Sequence, residues 1–175
     1  MGMIIRKATA GDIDAVEKIY KEVHAHNMSN TNYCNWDNRI YPLRADAEGA
    51  EKAGTLYAFE EDGDVLGTAI FNHLQPPEYA QLEWNVKAEG DEVIVLHTLC
   101  VSTRARNKGI AKKFVSFGEE LGRELGCRAM RFDTSEFNKP AYGIYTGLGY
   151  AVVGKVLVHT SESMSQILYC FEKQL

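Results

Sequence analysis

Leu99-Cys100-Val101-Ser102-Thr103-Arg104-Ala105-Arg106-Asn107-Lys108-Gly109-Ile110-Ala111 is the stretch on which the reading of this chain turns. Before it runs Val93 to Val101, an almost unbroken apolar segment of the kind that suits a strand buried on both faces. After it, Ile110, Phe114, Phe117, Leu121 and Leu125 recur at helical spacing, and Gly126 stands where a helix would stop. The stretch is therefore a strand, a basic glycine-containing turn and a helix start. A helix start leaves several backbone N–H groups unpaired and carries partial positive charge, so it is an anion site suited to phosphate. Gly109 permits close backbone approach, and Ala111 keeps the next turn small. Arg104, Arg106 and Lys108 add cations to an otherwise acidic chain. The implied ligand is a phosphate-rich small molecule. Neither GxxxxGK[ST] nor GxGxxG is present, so the usual mononucleotide and dinucleotide turns are not supported.

Outward from this turn the elements fall into a mixed order. Residues 3–7 read as a strand. Thr9 to Asp12 has capping-box form, and Ile13, Val16, Ile19, Tyr20 and Val23 follow at helical spacing, predicting a helix over about 11–26. Residues 27–44 read as an irregular loop, and a second helix is expected over about 45–53. Leu56–Phe59 and Val65–Phe71 flank the turn signal Glu61-Asp62-Gly63-Asp64 and form a hairpin. Gln75-Pro76-Pro77-Glu78 breaks it, and Gln81–Val86 reads as a further short strand. Downstream, a strand is expected at about 128–134, a helix at 139–147 and two strands at 150–158 and 166–173. The fold class is α/β (α+β): a single domain over 1–175, with a mixed, mostly antiparallel central sheet flanked by helices.

The chain has 175 residues, enough for one domain to bury a core without staples. Its net charge of −5 argues against bulk electrostatic binding of nucleic acid. No long apolar run suggests a membrane span. Cys34, Cys100, Cys127 and Cys170 are widely spaced, which favours reduced thiols of a cytoplasmic protein over a metal site or a disulfide framework. No metal is expected, and the start of the chain does not read as a signal peptide.

Two blocks carry a resemblance. Arg106-Asn107-Lys108-Gly109-Ile110-Ala111 fits the R/Q-x-x-G-x-G/A signature of the GNAT acyl-CoA N-acyltransferases. The preceding Leu99 to Arg104 matches that family's central-strand end, with Thr103 where proline is common. Asn138-Lys139-Pro140-Ala141-Tyr142-Gly143-Ile144-Tyr145-Thr146-Gly147-Leu148-Gly149-Tyr150 resembles the family's N-x-x-A-x-x-hydrophobic-Y-x-x-hydrophobic-G-aromatic ending. The resemblance spans about residues 3–172.

It implies splayed central parallel strands and acetyl-CoA as co-substrate. The backbone of Leu99 and Val101, with Cys100 between them, pairs with the pantetheine arm like an added strand. The amides of Asn107, Lys108, Gly109, Ile110 and Ala111 hold the pyrophosphate, with Arg104 and Arg106 beside them. Asn138 contacts the cofactor, and Tyr145 takes the position of the general acid, with Tyr142 as backup donor. The implied chemistry is direct attack of a primary amine on the thioester. His97, within the strongest strand, is the first candidate base; Glu83, just before it, is its rival. Trp36 and Trp84 are candidates for the acceptor pocket. Each has an ordinary alternative: a solvated turn for the arginines, a core tyrosine for Tyr145, a satisfied core histidine for His97, a solvated carboxylate for Glu83, loop anchors for the tryptophans, and a small core residue for Cys100. His24 and His26 read as helix-surface residues.

Three function classes follow. The leading one is a cytoplasmic enzyme that acetylates an amine, with a small-molecule acceptor favoured over a protein N-terminus or lysine. The others are a non-catalytic acyl-CoA-binding module and a nucleotide-binding regulatory domain, the last of which ignores residues 138–150. Closing strands after residue 150 leave a homodimer open. No nucleic-acid or membrane partner is expected.

Overall fold

The computed structural model describes residues 2–161 and 164–175. The strands are β1 (Met3–Lys7), β2 (Leu56–Glu61), β3 (Asp64–Asn72), β4 (Val93–Val101), β5 (Ala129–Ser135), β6 (Ala151–Ser161) and β7 (Met164–Gln174). The helices are α1 (Ile13–Ser29), α2 (Arg44–Lys52), α3 (Ile110–Glu124) and α4 (Lys139–Gly147), with short 3-10 turns at Ala10–Asp12, Pro77–Gln81, Gly90–Glu92 and Thr103–Ala105. The seven strands are ordered β1-β2-β3-β4-β5-β7-β6 in one mixed, mostly antiparallel sheet. The chain clusters into two compact units: the chain up to Asn32 with Trp36–Asn72 and Leu96–Gly118, and Tyr33–Asn35 with His73–Val95 and Glu119–Leu175.

In the first unit β1, β2 and β3 form an antiparallel meander, with Lys7 opposite Tyr57 and Leu56 opposite Ile70. The β2–β3 turn places Asp62 and Gly63 at φ +54° and +90°, the two positive values that a tight hairpin needs and that Asp-Gly supplies. Asp12 accepts the Thr9 N–H at 2.7 Å and two bonds from Arg6, so the expected capping box also anchors β1 to the helix start. The apolar stripe of α1 packs Val16, Ile19 and Tyr20 with Ala47, Leu56, Ile70 and Cys100. Gly67 on β3 seats the start of α3. A Cβ there would come within 3.0 Å of both Ile110 and Phe114 and 3.4 Å of the Cys100 carbonyl.

In the second unit β5, β7 and β6 are antiparallel neighbours, with Asp133 opposite Cys170. The first three residues of β4 pair in parallel with Ala129, Met130 and Arg131 of β5, and this ladder ends at Val95 and Arg131. Phe132, Tyr145, Tyr150 and Phe171 pack ring against ring in the core of this unit, with ring centroids 4.5 to 5.7 Å apart.

Four expectations are corrected. Gln81–Val86 is not a strand: a 3-10 turn ends at Gln81, and Leu82–Glu89 is irregular. Pro76 and Pro77 remove two donors and fix φ for a tight turn. The Val86 N–H then goes to the Glu172 carboxylate at 3.0 Å rather than to a strand. Secondly, α1 runs on to Ser29. Thirdly, His24 is buried, not on the surface. Its Nε2–H donates to the Pro42 carbonyl at 3.0 Å under Trp36, because the irregular segment after α1 folds back over that face. Fourthly, Leu125 lies beyond the end of α3 and is 56% exposed. Gly126, at φ +78°, reverses the chain there.

Candidate active site

The turn before α3 is held from below. Ser102 is buried, and its N–H donates to the Leu66 carbonyl at 2.9 Å. Its hydroxyl donates to Glu22 of α1 at 2.6 Å, and the Thr103 N–H donates to the same carboxylate oxygen at 3.1 Å. Glu22 thus anchors the entry to the turn. No pattern local to residues 99–111 points to it, because it lies 80 positions away from Ser102. Asn107 and Gly109 then adopt φ +64° and +73°. Left-handed residues two apart turn successive amides toward one side, an arrangement found at anion-binding concavities. The space a side chain at Gly109 would occupy is open, with nothing within 4 Å. Arg104, Arg106, Asn107, Lys108 and Gly109 are exposed, Ile110 is buried, and Ala111 is half-buried.

The cations of the turn are exposed and rest on half-buried partners. Lys108 Nζ is 2.7 Å from Glu61, Arg106 donates to His26 Nε2, and Arg104 Nε lies 3.9 Å from Glu22. Surface pairs with an exposed cation contribute roughly 0–1 kcal/mol each, so a phosphate can take these side chains over at small cost.

Further back on β4, Cys100 is buried in the core, while Leu99 and Val101 are half-buried. Thr98 is buried at φ +51°, a value β-branched residues rarely adopt. The Tyr41 hydroxyl meets its Oγ1. Such an irregularity interrupts the regular run of β4 and re-aims the backbone beside Leu99, a device common next to active sites. His97 is half-buried and donates from Nε2 to the Asn72 carboxamide at 2.9 Å. Trp36 meets Tyr41 edge-on at 5.9 Å and packs against the core.

The second unit holds the remaining expected residues. Asn138 caps α4: the Ala141 N–H donates to its Oδ1 at 3.2 Å, and its Nδ2 donates to Thr134 at 3.1 Å. Tyr145 is buried two turns further on, edge-on to Phe132 at 4.5 Å. Burial first, then Cys34 and Asp133, raises the proton affinity of its phenol, so it is fully protonated at neutral pH. Tyr142 is exposed and meets Tyr169 edge-on. Glu83 is exposed on the irregular segment. Trp84 donates to the Tyr79 carbonyl at 3.0 Å and lies under Arg131, at 4.3 Å. Tyr79, Trp84, Leu82, Gln75 and Arg131 line an open groove of about 650 Å³.

Bound to Tyr79 is a group to which the sequence reading gives no weight. Asp133 of β5 accepts a hydrogen bond from the Tyr79 hydroxyl at 2.8 Å. The available signal was a pair of charged residues, Arg131 and Asp133, flanking Phe132 within the strand. Arg131 is itself buried and spends its three nitrogens on Glu172 at 2.9 Å, Gln75 at 2.7 Å and the Val86 carbonyl at 2.8 Å. Among the described residues no cluster of His, Cys, Asp and Glu is arranged to hold a metal ion.

Residues 14–150, which take in both the turn and α4, match the profile of the Acetyltransferase (GNAT) family. The chain belongs to this family. The family is one of acetyltransferases. A GNAT-family acetyltransferase from Streptococcus agalactiae has the same fold: TM-score 0.81 and 23% identity, covering 100% of this chain and 96% of that one. An acetyltransferase from Salmonella typhimurium, solved with acetyl-CoA, aligns with TM-score 0.72 and 20% identity over 100% and 95% of the two chains. A D-amino-acid N-acetyltransferase of Saccharomyces cerevisiae is 34% identical over 98 residues. That match takes in 55% of this chain and 54% of the relative, about half the length of each.

Proposed function

We propose that this chain, as one catalytic domain over 1–175, transfers the acetyl group of acetyl-CoA to a primary amine of a small molecule in the cytoplasm. The observation that carries the reading is the open turn with left-handed Asn107 and Gly109 at the start of a fifteen-residue helix. Amides of Asn107 through Ala111 take the pyrophosphate, Arg104, Arg106 and Lys108 add charge, and Leu99 to Val101 offer strand-like hydrogen bonds to the pantetheine arm. That the yeast relative is a D-amino-acid N-acetyltransferase supports a small acceptor over a protein N-terminus or lysine.

The chemistry follows from proton bookkeeping. The acceptor starts as an ammonium and must lose one proton before its lone pair attacks the thioester carbon. The new C–N bond forms as the C–S bond breaks, and the sulfur leaves with the electron pair. Tyr145 gives that sulfur its proton. Burial holds the phenol protonated until a stronger demand arises. The phenolate then takes the second proton from the amide-forming nitrogen, which returns Tyr145 to its starting state. His97 and Glu83 are the bases the sequence nominates for the first proton. A thiol-release screen with acetyl-CoA and polyamines, amino acids, aminoglycosides and peptides tests the reading. Turnover of at least one amine that Tyr145→Phe depresses is expected. Acetyl-CoA binding without turnover of any amine indicates a non-catalytic acyl-CoA-binding module instead.

A further inference from the structure

Each cation of the turn before α3 meets a partner on another element, and the partners are not alike. Lys108 Nζ lies 2.7 Å from Glu61 of β2, and Arg104 Nε lies 3.9 Å from Glu22 of α1. Arg106 instead donates to a bare ring nitrogen, Nε2 of His26 on α1. The two carboxylates repel an arriving phosphate. The histidine is the one partner that can turn attractive, because imidazole changes charge between about pH 5 and 8. Its ring also lacks an acceptor. With Nε2 accepting from Arg106, the ring proton sits on Nδ1, which faces Asn30 Nδ2 at 3.3 Å. That amide nitrogen is itself a donor and gives one N–H to the His26 carbonyl at 3.0 Å. Moving the ring proton to Nε2 sets it against Arg106. Turning the carboxamide over sets its oxygen against the carbonyl oxygen. Every arrangement leaves like against like, so donors outnumber acceptors around this ring. The charged groups that face it are Arg106 from the turn and Glu22, one turn earlier on the same side of α1, with Arg104 beside Glu22. The concavity formed by Asn107 and Gly109 begins at the residue after Arg106.

We propose that His26 is a phosphate-binding residue of the cofactor turn: when the pyrophosphate of acetyl-CoA occupies Asn107–Ala111, Arg106 moves its N–H from the ring to a phosphate oxygen, and His26 takes one proton from water at Nε2 and donates it to the same group. The inference rests on the acetyl-CoA reading above and adds a residue and a linked proton to it. No covalent bond of the cofactor changes; one cofactor and one proton enter the site together. The anion supplies the acceptor that the ring lacks, and a hydrogen bond between two charged groups is stronger than one between neutral groups. Two features support the imidazolium. Glu22 stands four residues before it, the favourable order for a carboxylate and a cation on one helix face. His26 also lies in the last turn of α1, where the helix end carries partial negative charge. The bound state therefore holds more protons than the free state, and acetyl-CoA affinity falls as pH rises through the imidazole range.

The test is calorimetric titration of the full chain with acetyl-CoA in two buffers of different ionisation enthalpy, which counts the protons exchanged on binding. Wild type, His26→Gln and His26→Lys are compared at about pH 7.5, and Kd is followed from about pH 6 to 8.5. Wild type is expected to take up roughly half a proton or more per acetyl-CoA relative to His26→Gln, a difference that cancels protons exchanged by the cofactor's own phosphates. His26→Gln keeps an acceptor for Arg106 and removes the titration. Its binding is expected to be about tenfold weaker than wild type at pH 6 and to converge on wild type at pH 8.5. His26→Lys carries a fixed cation and is expected to bind at pH 8.5 at least as tightly as wild type, with no uptake relative to His26→Gln. A merely structural role of His26 would move Tm but not the proton count. An equal count in wild type and His26→Gln, or equal slopes of Kd with pH, overturns the inference. If His26→Gln does not fold, a proton count in His26→Lys equal to that of wild type overturns it. A wild type that binds no acetyl-CoA overturns the acetyl-CoA reading and the inference with it, whereas binding without the histidine-linked uptake overturns the inference alone.

Discussion

Gly109→Trp separates the ligand-binding role of the turn from its folding role. Gly109 sits at φ +73°, where an L-residue costs roughly 1–2 kcal/mol. Nothing lies within 4 Å of the added Cβ, so no core clash adds to that cost. For a chain of this size the loss corresponds to a fall of about 2–8 °C in Tm. The indole occupies the open space into which a pyrophosphate must come. Wild type at a CoA concentration 100 times its Kd gains ~2.7 kcal/mol, or about 5–11 °C. The assay is thermal unfolding with and without millimolar CoA and acetyl-CoA. Gly126→Trp is the control, because Gly126 stands at the other end of α3 at φ +78° with equally open surroundings. Both variants are expected to melt below wild type, but only Gly109→Trp is expected to lose the CoA shift. A full CoA shift in Gly109→Trp refutes the assignment of the phosphates to this turn. A wild type that CoA does not stabilise refutes acyl-CoA binding altogether.

Three further outcomes are expected. Tyr145→Phe should cut kcat ~10²–10⁴-fold with acetyl-CoA binding unchanged, measured by thiol release beside calorimetry; wild-type turnover with chemistry rate-limiting removes the general-acid role. Glu172→Ala leaves Arg131 charged and 3% exposed, so denaturant unfolding should show a loss of about 3–5 kcal/mol; a loss below 1 kcal/mol means the pair is not buried as described. Asp133→Asn should raise stability at neutral pH. The folded carboxyl, at about 6, binds protons that the unfolded one has already released, so wild-type stability falls between about pH 4 and pH 6 and stays low above it. The advantage of Asn should therefore grow across that window to about 3 kcal/mol at most; an advantage independent of pH refutes the raised proton affinity.

What the sequence by itself determined is local. Val93 to Val101, the glycine turn and the stripe Ile110, Phe114, Phe117, Leu121 specify strand, turn and helix, because hydrophobic period and glycine placement act within a few residues. Asp62-Gly63 likewise specified its hairpin, since few other residue pairs accept two positive φ values. The two motif blocks placed residues 106–111 and 138–150 in a family, and residues 14–150 match that family's profile. Tertiary structure decided what distance in sequence conceals. Glu22 reaches Ser102, the segment after α1 buries His24, and Glu172 takes the N–H that a strand at Val86 would have used for its ladder. The environment of Asp133 is the clearest case. A lone carboxylate in a strand reads the same whether it meets water or the hydroxyl of Tyr79, 54 positions away, and only its burial in the fold, with the Tyr79 bond and the nearby Glu78, sets its affinity for a proton. Proton affinity depends on the local dielectric and on neighbouring charges, which the folded chain brings together and its linear order does not.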